Sequence, residues 1–342
     1  MRTATATLPD VPAVPAPPAL DAHLAAARQA CLAALAAEPL ARAERLIAAA
    51  GWTGARRGPL VEAACRGHVP ELFQLRDAVN RQLGAAPSLC LTERVLVLHT
   101  ALDHLAGIPG LRVDDSVKQL FCRDIICYAD PERVDEAMSS CAGPNFASRL
   151  KVASLRRFPA GQTEWEVSGF PRSWLARIAL RDLPRTVRFL ATRVKGFGPL
   201  LVGHMSVRRR QPFLTARGAR LATYRAALVL DRQPEIRGLM GVSWLHSRET
   251  FRISPHLAFM NQAAEEMRGF YVDLGAAPEV DGFLEGNRRR AELYRLGAFK
   301  PTLAAIVCPR EQVLDWMREN RHLEGAGASY ARHAAAEVAE LI

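Results

Sequence analysis

Two stretches of this sequence hold residues whose types and spacing could do chemistry. The first runs from Pro199 to Phe259. It carries His204, then Arg208, Arg209, Arg210, Arg217 and Arg220, then Trp244, His246 and His256. The arginines sit in a turn that opens a predicted helix, and exposed N–H groups with the positive dipole end favour an anion there. Arg208, Arg209, Arg210 and Arg217, with Gly218, are therefore the candidate holders of a phosphate-bearing partner. The second stretch is TEWEVS, Thr163 to Ser168, bounded by Gly161 and Pro171. Its period of two predicts a strand with Trp165 and Val167 on one face and Glu164, Glu166 and Ser168 on the other. Two carboxylates spaced in this way, roughly 6–7 Å apart at the backbone, could serve as a general base or hold a substrate, with Arg156, Arg157 and Arg172 nearby. Glu164, Arg172, Trp244 and His246 are the candidate substrate contacts; Glu166 and His204 are the candidate bases. A different chemistry would use His204, His246 and His256 with Glu249 or Glu166 as ligands of a non-haem iron. No H-x-D/E pair with a distant histidine picks out such a set.

The elements that must position these residues fall into two parts. Residues 1–18 hold five prolines and are expected to form an extended or disordered tail. Residues 19–150 read as helical. Two helices broken at Pro39 come first, then Leu60 to Cys65, Pro70 to Leu83, Leu91 to Leu105, Val113 to Tyr128, and one starting at Asp130 as N-cap with Pro131 at N1. His99 and His104, alone in apolar surroundings, are read as packing residues. Residues 151–320 mix strands and helices: the Thr163 strand, a helical run from Ser173 to Val194 interrupted at Pro184, and a strand leading to the arginine turn. A helix of about five turns, a second strand, a helix from Leu257 to Arg268 and a strand from Phe270 to Leu274 come next. A basic helix from Phe283 to Leu296, a strand from Phe299 to Cys308 and a helix from Glu311 to Glu319 complete that part. The Ala-rich end, within residues 321–342, is expected to dock or to self-associate as a homodimer. The fold class is α+β, with an N-terminal helical layer followed by a mixed-sheet α/β domain.

With 342 residues, 49% apolar and 23% charged, the composition is that of an ordinary globular chain. The net charge of +10 comes mainly from arginine and favours anionic partners, although the Ala, Arg, Leu and Pro bias is also what a GC-rich genome gives. Seven scattered cysteines without a CxxC pair fit neither a disulfide framework nor a zinc module. The N-terminus has no apolar run of signal-peptide length and nowhere do eighteen apolar residues follow one another, so a cytoplasmic protein without membrane contact is expected. Nucleic-acid binding would call on Arg208–Arg210, Arg288–Arg290, Arg217, Arg220 and Arg225. No recognition motif accompanies them, and a small-molecule substrate is the expected partner.

The segments RFPAGQTEWEVSGFPRSWL, GVSWLHSRETFRISPHLAF and LYRLGAFKPTLAAIVCPREQVLDW resemble a group of bacterial proteins without an assigned activity. More remotely, the order of elements over 199–308 is similar to that of the coenzyme A-dependent N-acyltransferases of the GNAT superfamily. There a central strand feeds a phosphate-binding turn at a helix N-terminus. Asn287, Leu293, Tyr294, Gly297 and Phe299 resemble the landmarks of that family's late helix, with the glycine one residue early. The family's R/Q-x-x-G-x-G/A turn is not matched: Gly218 and Ala219 are adjacent, and Thr215 stands where Arg or Gln belongs. The resemblance implies a coenzyme A thioester as cofactor and transfer of its acyl group to an amine or amino-acid-derived substrate, such as specialised metabolism supplies. It implies Glu166 or His204 as base, backbone N–H groups near Gly203 against the thioester carbonyl, and Tyr294 as general acid.

Overall fold

A computed structural model describes residues 20–52, 54–65, 70–84, 91–130, 144–205, 215–277 and 288–323. The arginine triplet Arg208–Arg210, Asn287, the segment after Pro131 and the C-terminal Ala-rich run lie outside the described residues. Helices α1 (Leu20–Ala36), α2 (Leu40–Ala49), α3 (Gly54–Cys65), α4 (Pro70–Leu83), α5 (Leu91–His104), α6 (Asp115–Ala129) and α7 (Pro144–Ala153) form the first layer. Its centre is α5, in which Leu91 through Leu98 are buried without interruption. That run includes the polar Thr92, Glu93 and Arg94 because neighbours surround the helix: α1, α2, α4, α6 and α7 all touch it. Asp114 caps α6 by accepting from the Ser116 N–H. Asp130 ends that helix, its own N–H bonded to the Ile126 carbonyl.

Six strands follow: β1 (Arg157–Pro159), β2 (Thr163–Ser168), β3 (Leu200–Met205), β4 (Gly238–Ser243), β5 (Phe270–Ala276) and β6 (Thr302–Pro309). They lie in the order β1-β2-β3-β4-β6-β5. Every neighbouring pair is antiparallel except β3 and β4, which run parallel. Helix α9 (Ala216–Arg232) makes the crossover between them, as a parallel pair requires. The remaining α-helices among the described residues are α8 (Leu183–Phe189), α10 (Arg248–Ile253), α11 (Phe259–Glu266), α12 (Arg288–Arg295) and α13 (Arg310–Glu319). Pro184 begins α8 rather than interrupting a longer helix, since its fixed φ suits the first turn. The expected run from Ser173 is replaced by a 3-10 turn over Arg172–Arg177. The three-residue strand β1 has too few residues to show any alternation.

Both sheet faces are covered. Trp165, Leu201, Leu239, Ile306 and Cys308 share one core with α9, α11, α13 and the helical layer. Leu200, Val202, Met240, Val307 and Val272 pack on Phe170, Ile178, Leu190 and Val194. Strands buried on both faces lose their alternation, which is why β3 and β6 read as continuous apolar runs. No helix among the described residues is long and apolar enough to cross a membrane.

Candidate functional site

Strands β3 and β4 stay paired through Leu201–Leu239, Val202–Met240 and Gly203–Gly241. Beyond the two glycines they part. His204 and Met205 then pair only with β2, and Val242 and Ser243 only with β6. The facing edges of these four residues carry no ladder partner, and both strands pass from buried to half-exposed at this point. A cavity of about 190 Å³ occupies the opening. Its lining includes Trp165, Gly203, His204, Gly241, Ser243 and His246 from the strands and the turn after β4, Ala219 and Thr223 from α9, Met260 from α11 and Met267 just after it, and Cys308 from β6.

Glycine is needed at both apex positions because of what stands behind each. A Cβ on Gly203 would come within 3.1 Å of the Trp165 ring, and one on Gly241 within 2.6 Å of His246 Nε2. An isolated glycine inside a strand marks such close approaches. His246 lies in the 3-10 turn Trp244–His246, and its Nδ1 is 2.6 Å from Asn261 Oδ1. Asn261, buried on α11, bonds onward to the Tyr271 hydroxyl. Burial lowers the proton affinity of His246, while the Asn261 bond raises it; the net direction is down.

The expected pair of carboxylates is present on one face of β2, and His204 lies directly across from Glu164 on β3. The neighbourhood of β2 and β3 on which a Glu166–His204 site depends is therefore real. His204 Nε2 is 3.6 Å from Glu166 Oε2, too long for a hydrogen bond. Glu166 is engaged elsewhere: Lys151 donates at 2.8 and 2.9 Å and Arg157 at 2.7 Å. Burial acts to raise its carboxyl, but these two bonds outweigh burial and hold it below the usual carboxylate value. Glu164 is buried and accepts from the Ser148 hydroxyl at 2.6 Å. Burial and the Arg157 charge, with Lys151 beyond, drive His204 down to about 4 against the pull of Glu166. Lys151 and Ser148 come from α7, so the helical layer completes this cluster. Sequence reading missed both, because a lysine and a serine in an unremarkable helix carry no local signal.

The other candidates are dispersed. Thr215 caps α9, its hydroxyl accepting from the Gly218 N–H at 3.1 Å, so that N–H is already engaged. Gln162 holds Thr215 in turn, accepting from its N–H at 3.2 Å. Arg217 is exposed in the first turn. Arg220 pairs with Glu266 at 2.5 Å and lies over the Trp316 ring, a structural role. Arg172 is exposed and sits over Phe197, away from the cleft lining. Trp244 carries the Arg290 guanidinium over its ring at 4.7 Å. Tyr294 is 39% exposed on α12 and is not part of the cleft lining. His256 is exposed in a separate turn, and the structure does not gather the three histidines into one sphere. Among the described residues, no group of three or more His, Cys, Asp or Glu is disposed to hold a metal.

No family model, curated protein or solved structure matches the chain. The cleft is an apolar slot between two parted parallel strands, with two imidazoles and the first turns of α9 around it.

Proposed function

We propose that the protein is a coenzyme A-dependent N-acyltransferase built on a GNAT-like sheet, acting on an amine or amino-acid-derived acceptor. The observation that carries this reading is the parting of β3 and β4 at Gly203 and Gly241 beneath the first turns of α9. An extended chain bearing amides, such as the pantetheine arm, can enter such an opening and bond the free strand edges as an added strand would. The thioester end would then lie near the two glycines, and the N–H groups of the diverging strands could polarise its carbonyl. At the phosphate end the α9 dipole and Arg217 supply positive charge. The position of the helix between the parallel strands agrees with the resemblance drawn from the sequence, whereas the exposed place of Tyr294 on α12 lends no support to its role as acid.

His204, neutral down to about pH 4, could accept a proton only weakly at that basicity, and Glu166 is occupied by Lys151 and Arg157. Titration calorimetry with CoA and acetyl-CoA tests the reading. Saturable binding is expected, weakened about tenfold by Arg217→Ala, the loss of one charge-assisted contact. Absence of binding heat and of any thermal shift with either ligand would rule the reading out.

A further inference from the structure

The histidine at the apex of the cleft has a geometry that the role of a substrate contact does not require. Next to the space over Gly241, His246 Nε2 is the nearest ring atom, at 2.6 Å from where a Cβ would stand, with Cε1 and Cδ2 behind it at 3.3 and 3.4 Å. The ring thus points its Nε2 corner at the last paired position before the strands part. On its other side, Asn261 bonds the Tyr271 hydroxyl through its amide nitrogen, which leaves Oδ1 to face His246 Nδ1. A carbonyl oxygen can only accept, so Nδ1 carries the proton and Nε2 carries the lone pair. No hydrogen-bond partner for Nε2 is found among the described residues.

We propose that His246 is the general base of the cleft, with Asn261 and Tyr271 as the positioning residues that fix its tautomer. The inference rests on the acyl-transfer reading and deepens it. As the acceptor nitrogen attacks the thioester carbonyl, the C–N bond forms and Nε2 takes the nitrogen's proton. When the C–S bond breaks, the imidazolium returns that proton to the departing thiolate, so amide and free thiol leave and the ring ends as it began. One residue then serves as base and acid, and no part is left for the distant Tyr294.

The surroundings suit this. Tyr271 stands behind Asn261 with its hydroxyl pushed up by burial to about 12; Glu265 and Arg248 act on it with opposite sign. The other titratable groups of the cavity lining are Cys308, raised by burial to about 12, and His204, at about 4. Burial holds His246 below the ordinary 6.5, with the Asn261 bond opposing it, so the geometry of Nε2 and not its basicity sets this ring apart from His204.

The test uses the full chain, acetyl-CoA, and a panel of amino acids, polyamines and amino sugars, with thiol release followed from pH 5 to 9. His246→Gln is expected to lower kcat at least about 100-fold while CoA still binds. Asn261→Asp places a negative charge beside Nδ1 and is expected to move the acidic limb of kcat/KM up by about one pH unit or more. A structural role alone would not move that limb. Nitrogen-15 spectra of histidine-labelled protein should show one neutral ring protonated at Nδ1 that disappears in His246→Gln. A rate within threefold of the parent for His246→Gln, an unmoved limb in Asn261→Asp, or an Nε2-protonated His246 would each overturn the proposal with acyl transfer intact. Loss of both ideas would instead be read from wild-type protein that neither binds CoA nor releases thiol.

Discussion

Glu93 shows what a single side chain can do to the pH dependence of the whole fold. It lies in the buried N-terminal half of helix α5, has no exposed surface, and meets Arg76 Nη1 at 3.7 Å. Burial pushes its carboxyl up to about 7, against the pull of its own backbone N–H and of Arg76. An unfolded chain releases this proton around pH 4.5, the folded chain only near 7, so the folded state binds more protons between those values. The contribution of this group to stability is therefore highest below 4.5 and falls as pH rises to 7. Glu93→Gln keeps the shape and removes the ionisation. It should be more stable than the parent at pH 8 by up to about 3 kcal/mol, with the gap closing towards pH 4.5. Chemical denaturation at both pH values checks this, and a gap of equal size at both would refute it.

Among the elements, α9 has the greatest consequence for the site, because its first turns line the cleft and its N-terminus is set by a single side-chain cap. Thr215→Ala removes the hydroxyl that accepts from the Gly218 N–H, while the backbone N–H at that position keeps its bond to Gln162. The expected cost is about 1 kcal/mol in urea unfolding, accompanied by weaker CoA binding; an unchanged midpoint and affinity would show that the cap is idle. The helix itself was legible in the sequence, since Thr215 precedes a regular apolar stripe ending at Leu230. Strand β2 was legible for the same kind of reason: TEWEVS has a period of two, with Trp165 reaching the core and Glu164 and Glu166 meeting charge, although Val167 is exposed. The pairing of β3 with β4 and its abrupt end were not, because a crossover fixes which strands meet while nothing local records where they separate. Gly203 and Gly241 were the available hint. The His246–Asn261–Tyr271 chain was hidden for a similar reason: its members are joined only when α11 and β5 fold onto the turn after β4.

Across the whole molecule, many of the described arginines that suggested an anionic partner are engaged within the fold. Arg310 donates to the Leu230, Gln233 and Ile236 carbonyls at the end of α9, Arg177 to Leu274 and Ala276, and Arg94 to Ala129. Arg232 joins Asp114 and Arg112 joins Glu235, so the segment that leads into α6 is tied to the far end of α9. The helical layer and the sheet share one apolar core that runs from Ala27 to Leu323. The polar joint is equally shared: Glu164, buried on β2, accepts from Ser148 of α7, and Glu166 accepts from Lys151. A fragment beginning at residue 155 would lose Ser148 and Lys151, and it would uncover Phe158 and the face of β1 that α6 and α7 cover. Exposing one large apolar side chain costs about 1.5–3 kcal/mol, and several lost together are a large share of the roughly 5–15 kcal/mol by which a domain is usually stable. Residues 155–323 alone should therefore lack dispersed amide resonances and a cooperative thermal transition. In the intact chain, tryptophan fluorescence, which reports chiefly on the sheet, and far-ultraviolet dichroism, which reports chiefly on the helices, should change at one temperature. A fragment with a sharp transition of its own, or two separated transitions in the parent, would mean that the layers are held by their own cores and that α7 is dispensable to the cluster around His204.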